Sequence, residues 1–298
     1  MKSRFDSYFP VEMSGNQQAT VLVGIVTRNR AEILPKAIES ALSQSYPRVT
    51  VSVVDDCSDD ETWAVREDFP TIKWLRLESG RGYREARNDL MRTADSDYYI
   101  SLDDDAWFLD RDEIALAIEH LDSNPRVGAV AFDILSPDRP MRGSRSTAYP
   151  VRAFIGCGHV LRTAAVIECG AYCPSPGLYG SEEKDLCLRL LDRKWEIHIL
   201  PGVHVWHDKT MLERDLAGQH RSGVCNDLAF ALRRCPIPLV IGVLPFKILS
   251  HLRFATRSGV MRPCLAGMLL FLRNAGRLLG SRAPVRNSTF IEFLRRSQ

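Results

Sequence analysis

Short apolar runs alternate with amphipathic stretches along the first two thirds of the chain. Val21–Thr27 is almost continuously apolar, which is typical of a strand buried on both faces of a sheet. The next segment, 30–43, carries apolar residues at helical spacing, and VTVSVVD at Val49–Asp55 predicts a second strand. The pattern predicts three more strands and two more helices, at 72–77, 83–94, 98–102, 113–121 and 127–132. This alternation indicates an α/β fold with a mostly parallel central sheet flanked by helices.

The following part of the chain opens with a segment rich in Pro, Ser and Arg at 136–150, which predicts a loop. Residues 156–172 then favour a strand, a short helix and a turn. The pattern at 182–193 strongly favours a helix, and two short strands are predicted at 196–200 and 203–206. The α/β pattern therefore extends to about residue 210.

Polar side chains stand at the ends of three of the predicted strands. They are Thr27, Arg28 and Asn29 after the first strand, Asp55 and Asp56 at the second, and Asp103, Asp104 and Asp105 at the fourth. Ligands of open α/β sheets bind outside the carboxyl ends of the strands. These groups therefore predict a single binding site at one edge of the sheet.

Three consecutive aspartates at a strand end repel one another, and a divalent cation offsets that repulsion. Mg²⁺ and Mn²⁺ prefer oxygen ligands, and Mg²⁺ often takes some of them from a substrate's phosphates. The triplet therefore suits a metal that bridges to a diphosphate. The alternative is a solvated acidic turn or a helix cap. His207 offers a further nitrogen ligand, or it is a packed surface histidine beside Trp206.

Glu182 and Glu183 stand at the start of a predicted helix. The functional interpretation is a general base aimed into the cleft, and the alternative is stabilisation by the helix dipole. Arg81, Arg84 and Arg87 precede the triplet, and guanidinium groups bind phosphates with two hydrogen bonds. The alternative to phosphate binding is a position on a solvated helix face, and we favour that alternative for Arg84 but not for Arg87.

The eight cysteines contain no Cys-x-x-Cys pair, so we do not expect a zinc site. The first 15 residues contain no apolar stretch of the secretory type. Both features favour free thiols in a reducing cytoplasm.

The last part of the chain is basic. The chain holds 39 Lys and Arg and 37 Asp and Glu, but the residues after Asp227 hold 12 of the basic residues and one acid, Glu292. Two apolar stretches, 236–250 and 268–272, fall short of the ~20 residues of a spanning helix. Apolar faces edged by arginine favour an interfacial helix on the cytoplasmic face of an anionic membrane, and the alternative is packing onto the preceding domain. Without interleaved aromatic and basic residues, we expect no nucleic-acid partner.

Taken together, the motifs resemble the family 2 inverting glycosyltransferases, which have the GT-A nucleotide-sugar-binding fold. VGIVTRNR is similar to the family's first strand and nucleotide loop, and VSVVDDCSDDET to its second strand. GRGYREARNDLMRTADSDYYISLDDDAWF resembles its arginine-bearing helix and DxD metal motif. The segment from GCGHVLRT through SEEKDLCLRL to GVHVWHD resembles its acceptor side.

The resemblance implies roles for these residues. Thr27 and Asp56 would contact the nucleobase, and Arg87 would meet the diphosphate or shape the nucleotide pocket. Asp103 would contact the ribose and, with Asp105 and His207, hold Mg²⁺ or Mn²⁺. The remaining residues expected around the nucleotide sugar are Arg28, Asn29, Asp55, Arg81 and Asp104.

The resemblance also places the catalytic base. The family's usual Glu-Asp pair is Glu182-Glu183 here, so Glu183 stands at the position of the base with a side chain one methylene longer. That departure leaves the assignment open between the two glutamates.

The resemblance divides the chain and implies a reaction. We expect an N-terminal extension at 1–18, a catalytic domain at 19–210 and a basic amphipathic helical extension at 211–298. Within the domain, 19–135 would bind the donor and 150–210 the acceptor. The implied reaction moves a sugar from a nucleotide-diphosphate donor to an acceptor hydroxyl in polysaccharide, glycolipid or glycoconjugate synthesis. The alternatives are a nucleotidyltransferase or other sugar-nucleotide enzyme, and a non-catalytic carbohydrate- or calcium-binding module.

Overall fold

The computed structural model describes residues 18–139, 147–209 and 215–295. Within these ranges the strands are β1 Val21–Thr27, β2 Val49–Asp55, β3 Lys73–Arg76, β4 Tyr98–Asp103, β5 Ala106–Phe108, β6 Val127–Leu135, β7 Tyr149–Val151, β8 Gly158–Arg162 and β9 Glu196–His207. The helices are α1 Leu34–Leu42, α2 Tyr83–Thr93, α3 Glu113–Ser123, α4 Thr163–Cys169, α5 Glu182–Asp192, α6 Leu216–Arg234, α7 Leu239–Ser258, α8 Met261–Gly280 and α9 Asn287–Arg295, with a 3-10 helix at Glu61–Glu67.

The described strands form one sheet in the order β3-β2-β1-β4-β8-β6-β9-β5, with β7 paired to β9. The strands β3, β2, β1 and β4 are parallel, as the βαβ pattern predicted. Strand β8 runs antiparallel to β4 and β6, and β5 and β7 run antiparallel to β9. The sheet is therefore mixed, and only its first half is mostly parallel. A parallel pair of strands needs a crossover connection, which is usually a helix. The described residues between β6 and β8 contain no helix.

Each face of the sheet is covered by a different set of helices. Val23 and Ile25 of β1 pack with Leu34 of α1 and Ile118 of α3 in one core cluster. On the other face, Leu22 packs in a cluster that includes residues of α2, α4 and α5. Successive residues of a strand point to opposite faces, so a strand covered on both sides must be continuously apolar. This explains the unbroken run Val21–Thr27.

Most predicted elements are confirmed, with bounds that differ by a few residues. The two strands predicted at 196–200 and 203–206 form a single strand, β9, whose register against β6 shifts at Phe132/Asp133. The short strands β5 and β7 and the 3-10 helix were not predicted. Most of the predicted N-terminal extension, residues 1–17, and residues 140–146 of the predicted loop lie outside the described residues.

The C-terminal helices pack on the rest of the protein to different extents. Phe230 of α6 and Phe290 and Phe293 of α9 belong to the same core cluster as Leu186 of α5. Helices α7 and α8 bury one face in a smaller cluster with α6, and they leave other large apolar side chains exposed. The domain boundary at 210 stays a prediction, but α6 and α9 share a core with the catalytic segment.

Helix α7 corrects one sequence-based prediction. It is 20 residues long, and its most apolar window has a mean hydropathy of 1.4 with 6% of that window buried. By length and composition it suffices to cross a membrane, whereas the sequence pattern indicated a shorter apolar segment. The difference arises because the helix continues beyond residue 250 and includes Pro245 in its interior.

Candidate active site

Three neighbouring strands bring the predicted polar groups to one edge of the sheet. Strand β1 lies between β2 and β4, with Thr27 paired to Asp55 and Val26 to Asp103. Thr27 is buried at the end of β1, and the backbone N–H of Asp56 donates to its carbonyl. The structure therefore assembles at one edge the three groups that the sequence placed at strand ends.

The Asp56 carboxylate organises the loop before α2. One of its oxygens accepts a hydrogen bond from the backbone N–H of Arg81 at 2.7 Å, and the other accepts one from Gly82 at 2.8 Å. Gly82 has a φ of 84°, a left-handed conformation that glycine adopts without strain. Asp56 thus holds the start of the arginine-bearing helix against the strand ends.

Four further residues predicted around the donor make contacts within the protein. Asp55 is fully buried and accepts from the Ser58 backbone N–H at 2.9 Å. The side chain of Asn29 accepts from the backbone N–H of Asp59, and the guanidinium of Arg81 pairs with Asp89. Arg28 is exposed, and its guanidinium lies over Gly80. Their donor-binding roles stay predictions.

The predicted metal ligands converge although they are about 100 residues apart in the chain. The ligand atoms of Asp103, Asp105 and His207 all lie within 4.8 Å of one another. The short strand β5 causes this proximity, because Ala106 pairs with His207 across the antiparallel β5–β9 ladder. Burial raises the pKa of Asp104 to about 7, and the neighbouring Asp105 adds to the shift. This is the electrostatic strain expected of a packed acidic triplet.

The residues present fit a divalent cation. His207 Nε2 is 3.2 Å from Asp105 Oδ1. This nitrogen is buried, and apart from its approach to Asp105 it has no polar partner within the described part of the chain. Two carboxylates and one imidazole form a donor set suited to Mn²⁺ or Mg²⁺. We infer a site at which these three side chains would hold such an ion.

Arg87 connects the acidic triplet to the predicted base. This side chain is buried, and its guanidinium hydrogen-bonds Asp103 and lies 3.6 Å from Glu183 Oε1. The Tyr83 ring packs against it, with 4.9 Å between the guanidinium carbon and the ring centroid. One fixed cation thus stands between the two acidic groups that the sequence assigned to metal and base.

The two glutamates at the start of α5 differ in environment. Glu182 is buried and accepts a hydrogen bond from the Tyr83 hydroxyl, and its Oε2 atom makes no hydrogen bond among the described residues. The side chain of Glu183 is partly exposed. Burial raises the pKa of Glu183 to about 8, repulsion from Glu182 adds to this, and Arg87 opposes it. A raised pKa on a partly exposed carboxylate suits a general base near neutral pH.

Sequence reasoning missed three residues that shape this site: Tyr83, Gly156 and Asn226. The sequence could have indicated Tyr83, because this residue lies four positions before Arg87 and therefore on the same face of the helix. Asn226 lies in the predicted tail, and its side-chain amide donates to the carbonyls of Gly177, Tyr179 and Gly180 at 2.9–3.1 Å. It thereby fixes the loop that leads into α5. Nothing in the sequence marks Gly156 or Asn226.

Gly156 leaves the space that the Glu183 carboxylate occupies. A Cβ atom at this position would lie 2.2 Å from Glu183 Oε1 and 3.3 Å from an Arg87 nitrogen. We expect Gly156→Ala to displace the carboxylate without unfolding the protein, because the clash is with the end of a flexible side chain. Misplacing a catalytic group by about 1 Å can cost ~10²-fold in rate, so turnover should fall ~10- to 100-fold at unchanged donor affinity. Steady-state kinetics with a donor titration measures both.

A matched control is Gly223→Ala on α6, where a Cβ atom would meet nothing within 4 Å. This variant should turn over like the unaltered protein. If Gly156→Ala does so too, the Glu183 carboxylate does not act from the position seen here.

Comparison with known proteins identifies the chain. The family described as Glycosyl transferase family 2 matches residues 22–173, which is half of the chain. The chain belongs to glycosyltransferase family 2. This family membership is the one that the resemblance implied.

Curated relatives of this family 2 protein include bacterial enzymes of glycan synthesis. The chain is 32% identical over 105 residues to a poly-beta-1,6-N-acetyl-D-glucosamine synthase of Staphylococcus epidermidis, which covers 34% of this chain and 25% of the relative. It is 30% identical over 90 residues to an Escherichia coli UDP-Glc:alpha-D-GlcNAc-diphosphoundecaprenol beta-1,3-glucosyltransferase, covering 29% and 36%. The chain thus spans about a quarter to a third of these relatives' lengths.

Solved structures confirm the GT-A fold of this family 2 protein. A Staphylococcus aureus TarS fragment in complex with UDP-GlcNAc superposes with a TM-score of 0.63 at 17% identity, covering 91% of this chain and 82% of that one. The mannosyltransferase PcManGT of Pyrobaculum calidifontis, in complex with GDP-Man and Mn²⁺, gives 0.61 at 19% identity, covering 97% and 88%. At these identities the likeness shows the fold.

Proposed function

We propose that this glycosyltransferase moves a sugar from a nucleotide-diphosphate donor to an acceptor hydroxyl, with inversion and with a divalent metal, in bacterial polysaccharide or glycolipid synthesis. The observation that carries the proposal is Arg87, which joins Asp103 of the acidic triplet to Glu183 at the start of α5. Solved relatives of the same fold hold nucleotide sugars, one of them together with Mn²⁺.

In the proposed mechanism, the Glu183 carboxylate removes the proton of an acceptor hydroxyl. The hydroxyl oxygen attacks the anomeric carbon as the bond to the departing nucleotide diphosphate breaks, and a single displacement inverts that centre. A metal held by Asp103, Asp105 and His207 would neutralise charge on the leaving diphosphate. Arg87 keeps Glu183 oriented and stabilises its ionised form.

Donor binding is proposed for the other side of the cleft. Thr27 lies buried at the strand end, and its hydroxyl oxygen has no hydrogen-bond partner among the described residues. Asp56 lies beside it with both oxygens already held by backbone N–H groups. We assign these two residues to the nucleobase and Asp103 to the ribose as well as the metal.

The test is a donor panel. Purified protein is incubated with several nucleotide-diphosphate sugars and Mn²⁺ or Mg²⁺, and release of nucleotide diphosphate is measured with and without candidate acceptors. Metal-dependent release from one donor, and a product of inverted anomeric configuration by NMR, would support the proposal. Consumption of added inorganic pyrophosphate, with formation of nucleoside triphosphate and sugar 1-phosphate, would instead support the nucleotidyltransferase alternative. Binding without any release would support a carbohydrate-binding module.

We also propose that α7 and α8 hold the protein at an anionic membrane surface, on its cytoplasmic face. Ile241, Phe246 and Leu249 form an exposed stripe along α7. The opposite side of α7 is tied to the protein, since Lys247 Nζ lies 2.7 Å from Asp227 Oδ2 on α6. That ion pair favours a helix lying in the interface over one that leaves the fold to span the bilayer.

Vesicle binding tests this orientation. We expect the full-length protein to sediment with anionic phosphatidylglycerol vesicles, and Ile241→Ser to weaken partitioning ~10-fold, as the loss of one buried isoleucine side chain implies. Ile167→Ser on α4 is the matched control, because Ile167 and Ile241 are both 74% exposed. Salt should reduce binding of all forms by screening the basic residues. Equal loss in both variants, or no sedimentation at all, contradicts the proposal.

Point variants test membrane binding better than removal of the C-terminal helices does. A chain that ends near Asp227 would lose Phe230, Phe290 and Phe293 from the core cluster shared with α5. Its behaviour would therefore report on folding and not on the membrane.

A further inference from the structure

A cavity of about 290 Å³ lies outside the site described above, between residues 173–176, the end of α6 and the second half of α8. Three arginines line it, Arg233, Arg234 and Arg277. Ser175, Asn274 and Ser281 add neutral hydrogen-bonding groups to its wall. The lining contains no carboxylate.

The positive charge of this cavity is not balanced by acids within the described part of the chain. Asp185 pairs with Arg234 at 2.6 Å, but it also pairs with Arg189 at 2.8 Å, so one carboxylate serves two guanidinium groups. Arg233 donates to the Pro174 carbonyl at 2.9 Å, while its Nε atom is buried and makes no hydrogen bond. Neither Arg233 nor Arg277 makes an ion pair with any described residue.

This excess of positive charge disfavours the charged form of Arg233. Burial lowers the pKa of Arg233, and repulsion from Arg234 and Arg189 lowers it further, against the attraction of Asp185. Partly buried guanidinium groups that lack anionic partners are destabilising, and an anion that hydrogen-bonds to them removes that penalty. Planar guanidinium donors match phosphate oxygens in particular.

The cavity adjoins the catalytic helix. Arg234 in its wall contacts Asp185, which lies two residues after Glu183 on α5. The Ser175 carbonyl accepts from Arg84, which lies one helical turn before Arg87 on α2. Both of the helices that position the base and its arginine therefore contact residues of the cavity wall.

We propose that this cavity binds the phosphate or diphosphate group of a ligand, which is carried by a lipid or is free in solution. This binding rests on the cavity alone and needs neither the donor nor the metal of the proposed function. The following test needs no turnover, so a failed binding experiment leaves the transferase function standing, and a failed donor panel leaves the cavity standing.

Calorimetric titration of the full-length protein with geranyl diphosphate, in EDTA to exclude the metal site, tests the proposal. We expect saturable binding that Arg277→Gln weakens ~10-fold or more, as the loss of one charge-assisted hydrogen bond implies. Arg273→Gln is the matched control, because Arg273 is an exposed arginine on the same helix outside the cavity and should change affinity less than ~2-fold. Arg277 is itself exposed, so its replacement should not impair folding.

A parallel titration with inorganic pyrophosphate separates the two sources of phosphate. Weaker binding of pyrophosphate than of geranyl diphosphate supports a lipid-borne ligand. Equal affinities, both lowered by Arg277→Gln, support a site for free phosphate. Absence of binding, or equal weakening by Arg277→Gln and Arg273→Gln, overturns the cavity as a phosphate site.

Discussion

Replacing Glu183 with Gln is expected to slow sugar transfer ~10²- to 10⁴-fold, the effect of a lost general base. The amide keeps the size of the side chain and its contact with Arg87 but cannot take a proton. Donor affinity should stay within a few-fold, because the groups assigned to the donor are Thr27, Asp56 and the metal ligands. Single-turnover transfer rates and donor binding by calorimetry measure the two quantities separately.

Glu182→Gln is the matched control for this change. Glu182 is buried and hydrogen-bonded to Tyr83, so its replacement removes a charge beside the base without removing the base. We expect a smaller loss of transfer than for Glu183→Gln. The opposite order would make Glu182 the base, and a loss of only a few-fold in both variants would make the acidic pair structural, with at most ~0.3–1 kcal/mol of helix-dipole stabilisation at stake.

The pH profile gives a second readout of the same assignment. A base must be deprotonated to act, and burial raises the pKa of Glu183 to about 8. Activity in the free enzyme should therefore rise with pH through that region and level off above it, and Glu183→Gln should remove this rising limb. Measuring kcat/KM from pH 6 to 9.5 for both proteins checks this.

Replacing Asp105 with Ala is expected to reduce turnover at least ~10²-fold and to weaken metal binding, because it removes one of three converging ligands. Activity of the unaltered protein should be lost in EDTA and restored by Mn²⁺ or Mg²⁺. Metal affinity is measured directly by Mn²⁺ titration, with a circular dichroism spectrum to verify the fold.

The chain offers an internal control for this experiment. Asp110, Glu113 and His204 form a second group of potential ligands. There, however, Glu113 already accepts hydrogen bonds from the backbone N–H groups of Asp110 and His204 at 2.9 and 3.1 Å. We expect Asp110→Ala to leave metal-dependent turnover unchanged. Full activity of the Asp105 variant, or of the unaltered protein in excess chelator, would contradict the metal assignment.

The sequence by itself determined the first half of the sheet and the chemistry at its edge. A strand covered on both faces is almost continuously apolar, as Val21–Thr27 is. Both this strand and Val49–Asp55 were predicted with the bounds that the structure shows. Because parallel strands end at the same edge, Thr27, Asp56 and Asp103 were predicted to meet, and they do. These features depend on local sequence patterns, so they can be predicted from a single sequence.

Only the tertiary structure decided how the second half of the sheet pairs and how distant residues meet. Strand β5 has three residues, too few for a hydrophobic period, yet its pairing with β9 brings His207 to Asp105. The bridging position of Arg87, the space left by Gly156 and the hold of Asn226 on the loop before α5 are contacts between segments far apart in the chain. The same holds for the basic tail. Its charge pattern predicted that it binds anions. Only the packing showed that α6 and α9 join the core of the sheet, and that α7 and α8 pack one face on α6 and leave other apolar side chains exposed. Such contacts depend on the three-dimensional path of the chain, and periodicity along a sequence does not encode that path.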